Sequence, residues 1–189
     1  MRLRLATRPA WTEAVLADFD AFLLDHAANE RKASASALAL VAHYPDRALL
    51  VGRLIALAIE ELQHFQAVQA RIAERGRVLG PDVRSVYLRR LAAEFREGSD
   101  AYFLDRLLTA AVVEARGCER FGLVAAALPD GDLKEFYREL ARSEVRHQGL
   151  YEELALAYFG EDEVQTRLDH ILDAEAKVVA SLPVRSALY

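Results

Sequence analysis

A single cysteine, Cys118, stands in a chain of 189 residues. That excludes a disulfide framework and any multi-cysteine zinc or iron–sulfur site. Only 5 prolines and 9 glycines interrupt the sequence, so long regular elements are expected. Lysine is almost missing: Lys32, Lys134 and Lys177 are the only three, and the other 21 basic residues are arginines. Long apolar runs are missing too. Ala37–Ala42 and Leu54–Ile59 reach six residues each, against the roughly 18 a spanning helix needs. Glu13, Asp18 and Asp20 fall where a signal peptide would be uninterruptedly apolar, and no membrane association is expected. A soluble cytoplasmic protein is the reading. Basic charge is not in excess either: the net is −5, which argues against non-specific coating of nucleic acid but allows a local basic face. Hydrophobic residues make up 53% and charged residues 28%, enough apolar mass for one compact domain over residues 1–189.

Helix formers dominate what is present. Breakers cluster at His43-Tyr44-Pro45-Asp46, Gly76 to Pro81, Gly98-Ser99-Asp100, Pro129 to Asp132, Gly160 and Pro183. They divide the chain into long helices at about 11–43, 46–75, 100–128, 131–159 and 161–181, with a shorter helical stretch at 81–97. Ser99 or Asp100, and Asp130 or Asp132, are the expected caps of the third and fourth long helices. Tight turns make the first two helices one antiparallel pair and the next two another, with a long crossover between the pairs. An all-α four-helix bundle with an extra C-terminal helix is predicted.

The apolar seams of these helices carry charge. Val15, Phe19, Phe22, His26, Glu30, Ala33, Ala37 and Leu40 recur in steps of three and four. So do Leu50, Leu54, Leu57, Glu61, His64, Val68 and Ile72 in the second helix. The third seam runs through Phe103, Leu107, Glu114, Cys118 and Phe121, the fourth through Tyr137, Leu140, Glu144, His147, Tyr151 and Leu154. Each seam has a glutamate near its middle. A carboxylate facing a core without compensation costs several kcal/mol, on the order of the relaxed burial penalty for an ion. Two divalent cations balance four carboxylates, and two imidazoles complete the ligation. The i, i+3 spacing of Glu61–His64 and of Glu144–His147 puts each pair on one helix face. Glu30 precedes Glu61 by 31 residues and Glu114 precedes Glu144 by 30, so the halves read as a repeat of one hairpin. Glu60 falls off the stripe and is a group near the metal or at the surface. The bland alternative has all six as salt-bridged groups partnered by Arg31, Arg116 and Arg146. With the metal removed, the facing glutamates are expected to raise one another's pKa. Next to the ligand set, His26, Cys118, Arg146 and Tyr151 are candidate supporting residues.

Two glutamates and two Glu-x-x-His motifs form the pattern of the ferritin-like di-iron carboxylate bundles. Four stretches resemble the MiaE family of tRNA 2-methylthio-isopentenyl-adenosine hydroxylases: residues 25–33, Glu60 to Phe65, Glu114 to Phe121 and Ser143 to His147. The resemblance implies a di-iron centre held by Glu30, Glu61, His64, Glu114, Glu144 and His147. It also implies O2-dependent hydroxylation of an isopentenyl group beside the tRNA anticodon, with electrons from a reductase or ferredoxin. For the anticodon stem-loop, residues 71–96 hold seven arginines against Glu74, Asp82 and Glu94. Arg84, Arg89 and Arg90 are the candidate phosphate contacts, with Tyr87 as a stacking face. Iron storage with ferroxidase turnover, or peroxide reduction, is the competing reading of the same metal pattern.

Overall fold

The computed structural model describes residues 1–189. It contains seven helices and no strand: α1 (Pro9–Ala17), α2 (Phe19–His43), α3 (Ala48–Glu74), α4 (Val86–Ala92), α5 (Ser99–Ala127), α6 (Asp132–Tyr158) and α7 (Glu161–Ser181). The five long helices fall within two residues of the expected bounds, with one interruption. At Asp18 the backbone leaves the helical region (φ −139°, ψ 70°) and the carboxylate accepts the Ala21 N–H. Aspartate competes with the helix in this way, so one expected helix becomes α1 and α2. The crossover helix is shorter than expected. It starts only where the Ser85 hydroxyl accepts the Leu88 N–H, 3.2 Å away.

The expected caps are corrected. Gly98 (φ 94°) and Gly131 (φ 148°) begin α5 and α6 without a side-chain cap. Both adopt positive φ, which glycine reaches at no steric cost. Asp100 and Asp132 lie in the first helical turns, where a negative charge favours the helix dipole. Asp130 instead pairs with Lys134 at 3.0 Å.

Two compact units make up the chain, one of residues 13–83 with 185–188, the other of residues 1–12, 84–184 and 189. In the first, α2 and α3 form a hairpin with Phe22, Leu23, Ala37, Leu40, Leu50, Leu54, Leu57, Val68 and Ile72 buried. The buried Ser34 hydroxyl donates to the Ala58 carbonyl at 2.8 Å, fixing the register of the two helices. Arg75 and Arg77 both close on Asp20.

In the second unit α5 packs along α6, and α7 packs on α5, α4 and α6. Phe103, Leu107, Phe121, Tyr137, Leu140 and Leu154 are buried, each such side chain contributing about 1.5–3 kcal/mol relative to exposure. Two buried ion clusters tie the helices together. Asp105 of α5 receives Arg96 of the crossover (2.8 Å) and Arg167 of α7 (2.7 Å). Arg116 of α5 makes a two-point contact with Glu175 of α7, at 2.8 and 2.9 Å.

Candidate metal centre

Each unit carries one hairpin, and each hairpin brings two glutamates and a histidine together. In the α2–α3 hairpin, Nδ1 of His64 lies 3.6 Å from Oε2 of Glu30 and 3.5 Å from Oε2 of Glu61. Those separations exceed a good hydrogen bond and are short enough for the three atoms to share one ion. Glu30 and Glu61 are buried. Nε2 of His64 lies 3.9 Å from Glu60, so Glu60 meets the edge of the ring opposite the one that Glu30 and Glu61 approach. Glu30 is held from its other side by His26, whose Nε2 is 2.6 Å from Oε1. Thus His26 supports a proposed ligand directly.

Protonation in this hairpin departs from the expected raised carboxylates. Burial works to raise the Glu30 pKa, but the hydrogen bond with His26 and the nearby His64 imidazole outweigh it and hold the carboxyl far below its ordinary range. Burial likewise works to lower the His64 pKa, and the adjacent Glu30 and Glu61 carboxylates carry it up to about 9. The neighbouring imidazoles, absent from a carboxylate-only argument, decide the sign.

In the α5–α6 hairpin, Glu114, Glu144 and His147 are buried and offer ligand atoms within 4.8 Å of one another. Nδ1 of His147 is 3.6 Å from Oε2 of Glu144. The other ring nitrogen lies 3.3 Å from the Ser143 hydroxyl, which accepts from Arg146 at 3.0 Å. Such a contact to one ring nitrogen fixes which nitrogen would face a bound metal. Arg146 is exposed and reaches His147 through Ser143. Both histidines therefore present Nδ1 to their glutamates, and the two hairpins repeat in geometry as in sequence.

Sequence reasoning missed Gly117. A Cβ there would lie 2.9 Å from the Tyr189 hydroxyl and 3.7 Å from Cγ of Glu144. A glycine in the middle of a helix was the available signal. Tyr189 is stacked on Tyr87, with centroids 5.1 Å apart and planes 9° apart. Its hydroxyl donates to the Val113 carbonyl. Burial, with the charges of Glu114 and Glu144, pushes its pKa well above the ordinary phenol value.

Other candidates fall as follows. Cys118 is half-buried and burial raises its pKa, which disfavours a reactive thiolate. Tyr151 is buried one turn after His147. Arg84, Arg89 and Arg90 are exposed, and Arg90 donates to Ser181 at 2.7 Å. Tyr87 is corrected: it is 1% exposed and offers no stacking face to RNA. The bland alternative loses two partners, because Arg31 pairs with Asp82 and Arg116 with Glu175.

The family model described as tRNA-(MS2IO6A)-hydroxylase (MiaE) matches residues 1–187. A Pseudomonas putida protein named tRNA 2-(methylsulfanyl)-N(6)-isopentenyladenosine(37) hydroxylase is 35% identical over 175 residues, covering 93% of this chain and 85% of that protein. The chain belongs to the MiaE family. A Salmonella typhimurium member with the same name is 34% identical over 132 residues, 70% of this chain and 48% of that protein. Among solved structures, "Protein 43 with aldehyde deformylating oxygenase activity from Synechococcus" matches with a TM-score of 0.93 and 37% identity, over 98% of this chain and 93% of that one. The fold class is the all-α, ferritin-like one that the seams predict.

Proposed function

We propose that this family member is a di-iron monooxygenase that hydroxylates the isopentenyl group of 2-methylthio-N6-isopentenyladenosine beside the tRNA anticodon. The observation that carries the reading is the repeated half-site, Glu30 with Glu61 and His64, and Glu114 with Glu144 and His147. The donor set fits two ions: four carboxylates match the charge of two divalent cations, and oxygen with imidazole ligation suits iron. Bound iron would supply the redox chemistry for R–H + O2 + 2e⁻ + 2H⁺ → R–OH + H2O, the electrons coming from a reductase or ferredoxin.

The chain's own residues prepare the site. His26 orients the Glu30 carboxylate, and Ser143 with Arg146 orients the His147 ring. The apolar turns on either side of each ligand, such as Leu57 and Val68 around Glu61, exclude water from it. Arg84, Arg89 and Arg90 supply positive charge for the anticodon stem-loop. No helix is long and apolar enough to cross a membrane.

The test is nucleoside mass spectrometry. Iron-loaded protein, O2 and a reductant are given tRNA bearing the unhydroxylated nucleoside, and the gain of one oxygen is sought. The solved relative's aldehyde deformylating activity supplies a second reading, so an aldehyde is the parallel substrate. Turnover of the aldehyde with unchanged tRNA would replace the tRNA reading. Ferroxidase turnover by a cage-sized oligomer would replace both with iron storage.

A further inference from the structure

Tyr189 touches the second unit's cluster of Glu114, Glu144 and His147 without belonging to it. Gly117, in the middle of α5, leaves a hollow where any other residue would place Cβ. The atoms nearest that point are the Tyr189 hydroxyl oxygen at 2.9 Å and Cγ and Cδ of Glu144 at 3.7 and 3.8 Å. The phenol oxygen and the Glu144 carboxyl therefore meet over one residue of α5. Glu144 is buried, one of its oxygens lies 3.6 Å from Nδ1 of His147, and it offers a ligand atom within 4.8 Å of one on Glu114.

Groups outside the cluster hold the phenol oxygen in place. Its proton goes to the Val113 carbonyl, 3.0 Å away, which also accepts the Gly117 N–H within the helix. The ring stacks on Tyr87 and packs against the small core of Tyr87, Leu91 and Val179. Tyr87 in turn donates to Glu175 at 3.1 Å, and Arg116 clamps Glu175 at two points. Tyr87, Arg116 and Glu175 are each at most 1% exposed. The ring cannot withdraw without disturbing this buried network. Glutamate is the more flexible of the two partners, because its side chain has more rotamer freedom to lose.

We propose that Tyr189 is a positioning residue for Glu144: its phenol oxygen fills the hollow over Gly117 and stops the carboxylate from turning onto α5. Glu144 then stays with Glu114 and His147. Because the phenol proton is given to Val113, the oxygen acts on Glu144 through its volume. A carboxylate already confined to the binding orientation loses less freedom when a cation arrives, and holds it more tightly. The proposal rests on the metal reading of this cluster and adds Tyr189 and Gly117 to the residues that shape it.

Cobalt(II) is the probe, added to the full-length metal-free protein and followed by chelator competition and by its visible absorption. Tyr189→Phe keeps the stacked ring and removes the oxygen. It should weaken cobalt binding by about tenfold, the low end for groups that orient a metal ligand. The visible bands should change with it, while circular dichroism keeps the wild-type helical content. Gly117→Ala in the Tyr189→Phe background returns a methyl to the hollow, 3.7 Å from Cγ of Glu144 and so in ordinary contact. This double variant should recover both the affinity and the bands. Wild-type affinity and bands in Tyr189→Phe overturn the proposal. So does a double variant of wild-type helicity that binds cobalt as weakly as Tyr189→Phe. Wild-type protein that takes up no cobalt overturns the metal reading itself, so the two failures are told apart.

Discussion

Nε2 of His26 lies 2.6 Å from Oε1 of Glu30, one helical turn away, and both side chains are buried. A carboxylate held by an imidazole keeps one orientation whether or not metal is present. Partners of this kind typically carry about 10- to 100-fold in metal affinity. His26→Ala should therefore weaken iron binding by about that range, measured by chelator competition. His26→Gln retains an N–H donor and should recover part of it. Wild-type affinity in His26→Ala would make this histidine a packing residue.

Glu144 and His147 face each other across one turn of α6, and Glu144 also groups with Glu114. Glu144→Ala removes a carboxylate from a buried donor set and leaves excess positive charge on any ions that remain. Iron per chain should fall from two in the wild type to one or fewer, with circular dichroism retaining the helical content. Full iron loading in this variant would take Glu144 out of the ligand set.

Gly117 is a place where helix propensity and packing oppose each other. Alanine in a helix interior is favoured over glycine by about 1 kcal/mol. Here the added methyl would meet the Tyr189 hydroxyl at 2.9 Å, the far end of a rigid ring stacked on Tyr87. Overpacking of this kind costs about 1–3 kcal/mol, so Gly117→Ala should be net destabilising in urea denaturation. Adding Tyr189→Phe removes the clashing oxygen and should reverse the loss. A single Gly117→Ala variant more stable than wild type would show that Tyr189 yields freely.

The two clusters of glutamate and histidine were legible in the sequence because they obey a helical period. Glu61 with His64 and Glu144 with His147 share a face by spacing alone, and the structure brings each pair to 3.5–3.6 Å. What depends on contacts distant in sequence was hidden. Arg116 meets Glu175 across 59 residues, and Tyr87 is covered by Tyr189 from the far end of the chain. No local pattern encodes such meetings, so Arg116 read as an available cation and Tyr87 as an exposed ring. The break at Asp18 was hidden differently. A capping aspartate and a solvated helix aspartate look alike until the backbone angles are known.

Asp105 gives the pH dependence. It is fully buried between Arg96 and Arg167. Burial works to raise its pKa, and the hydrogen bonds from Arg96 and Arg167 hold it below the ordinary value of 3.8. A depressed native pKa means stability that is complete above pH 3.8 and is lost as pH falls through the native value. Asp105→Asn removes the charge and leaves both guanidinium groups facing an amide. Breaking a buried ion pair costs about 3–5 kcal/mol. The gap between wild type and variant should stay constant from neutral pH to about pH 4 and shrink below it. A gap independent of pH down to pH 2 would locate the contribution in packing.

The last expectation concerns RNA. Arg84, Arg89 and Arg90 are exposed on and just before α4, whereas Arg96 is committed to Asp105 and Arg75 and Arg77 to Asp20. The basic excess of residues 71–96 therefore falls to these three side chains and to Arg71, which is half-buried and donates to the Ala67 carbonyl. Reversing all three to glutamate should lower the affinity for an anticodon stem-loop in low salt. Phosphate contacts act by releasing counterions, so each one lost reduces the slope of log affinity against log salt by about 0.9. The difference between variant and wild type should accordingly narrow as salt rises. Iron content should not change, because none of the three lies in α2, α3, α5 or α6. Stability should fall modestly, since Arg90 gives up its hydrogen bond to Ser181 and two charges in the last turn of α4 reverse against the helix dipole. Wild-type affinity in low salt would move the RNA-binding face elsewhere, and loss of iron would make these arginines part of the framework that holds the metal ligands.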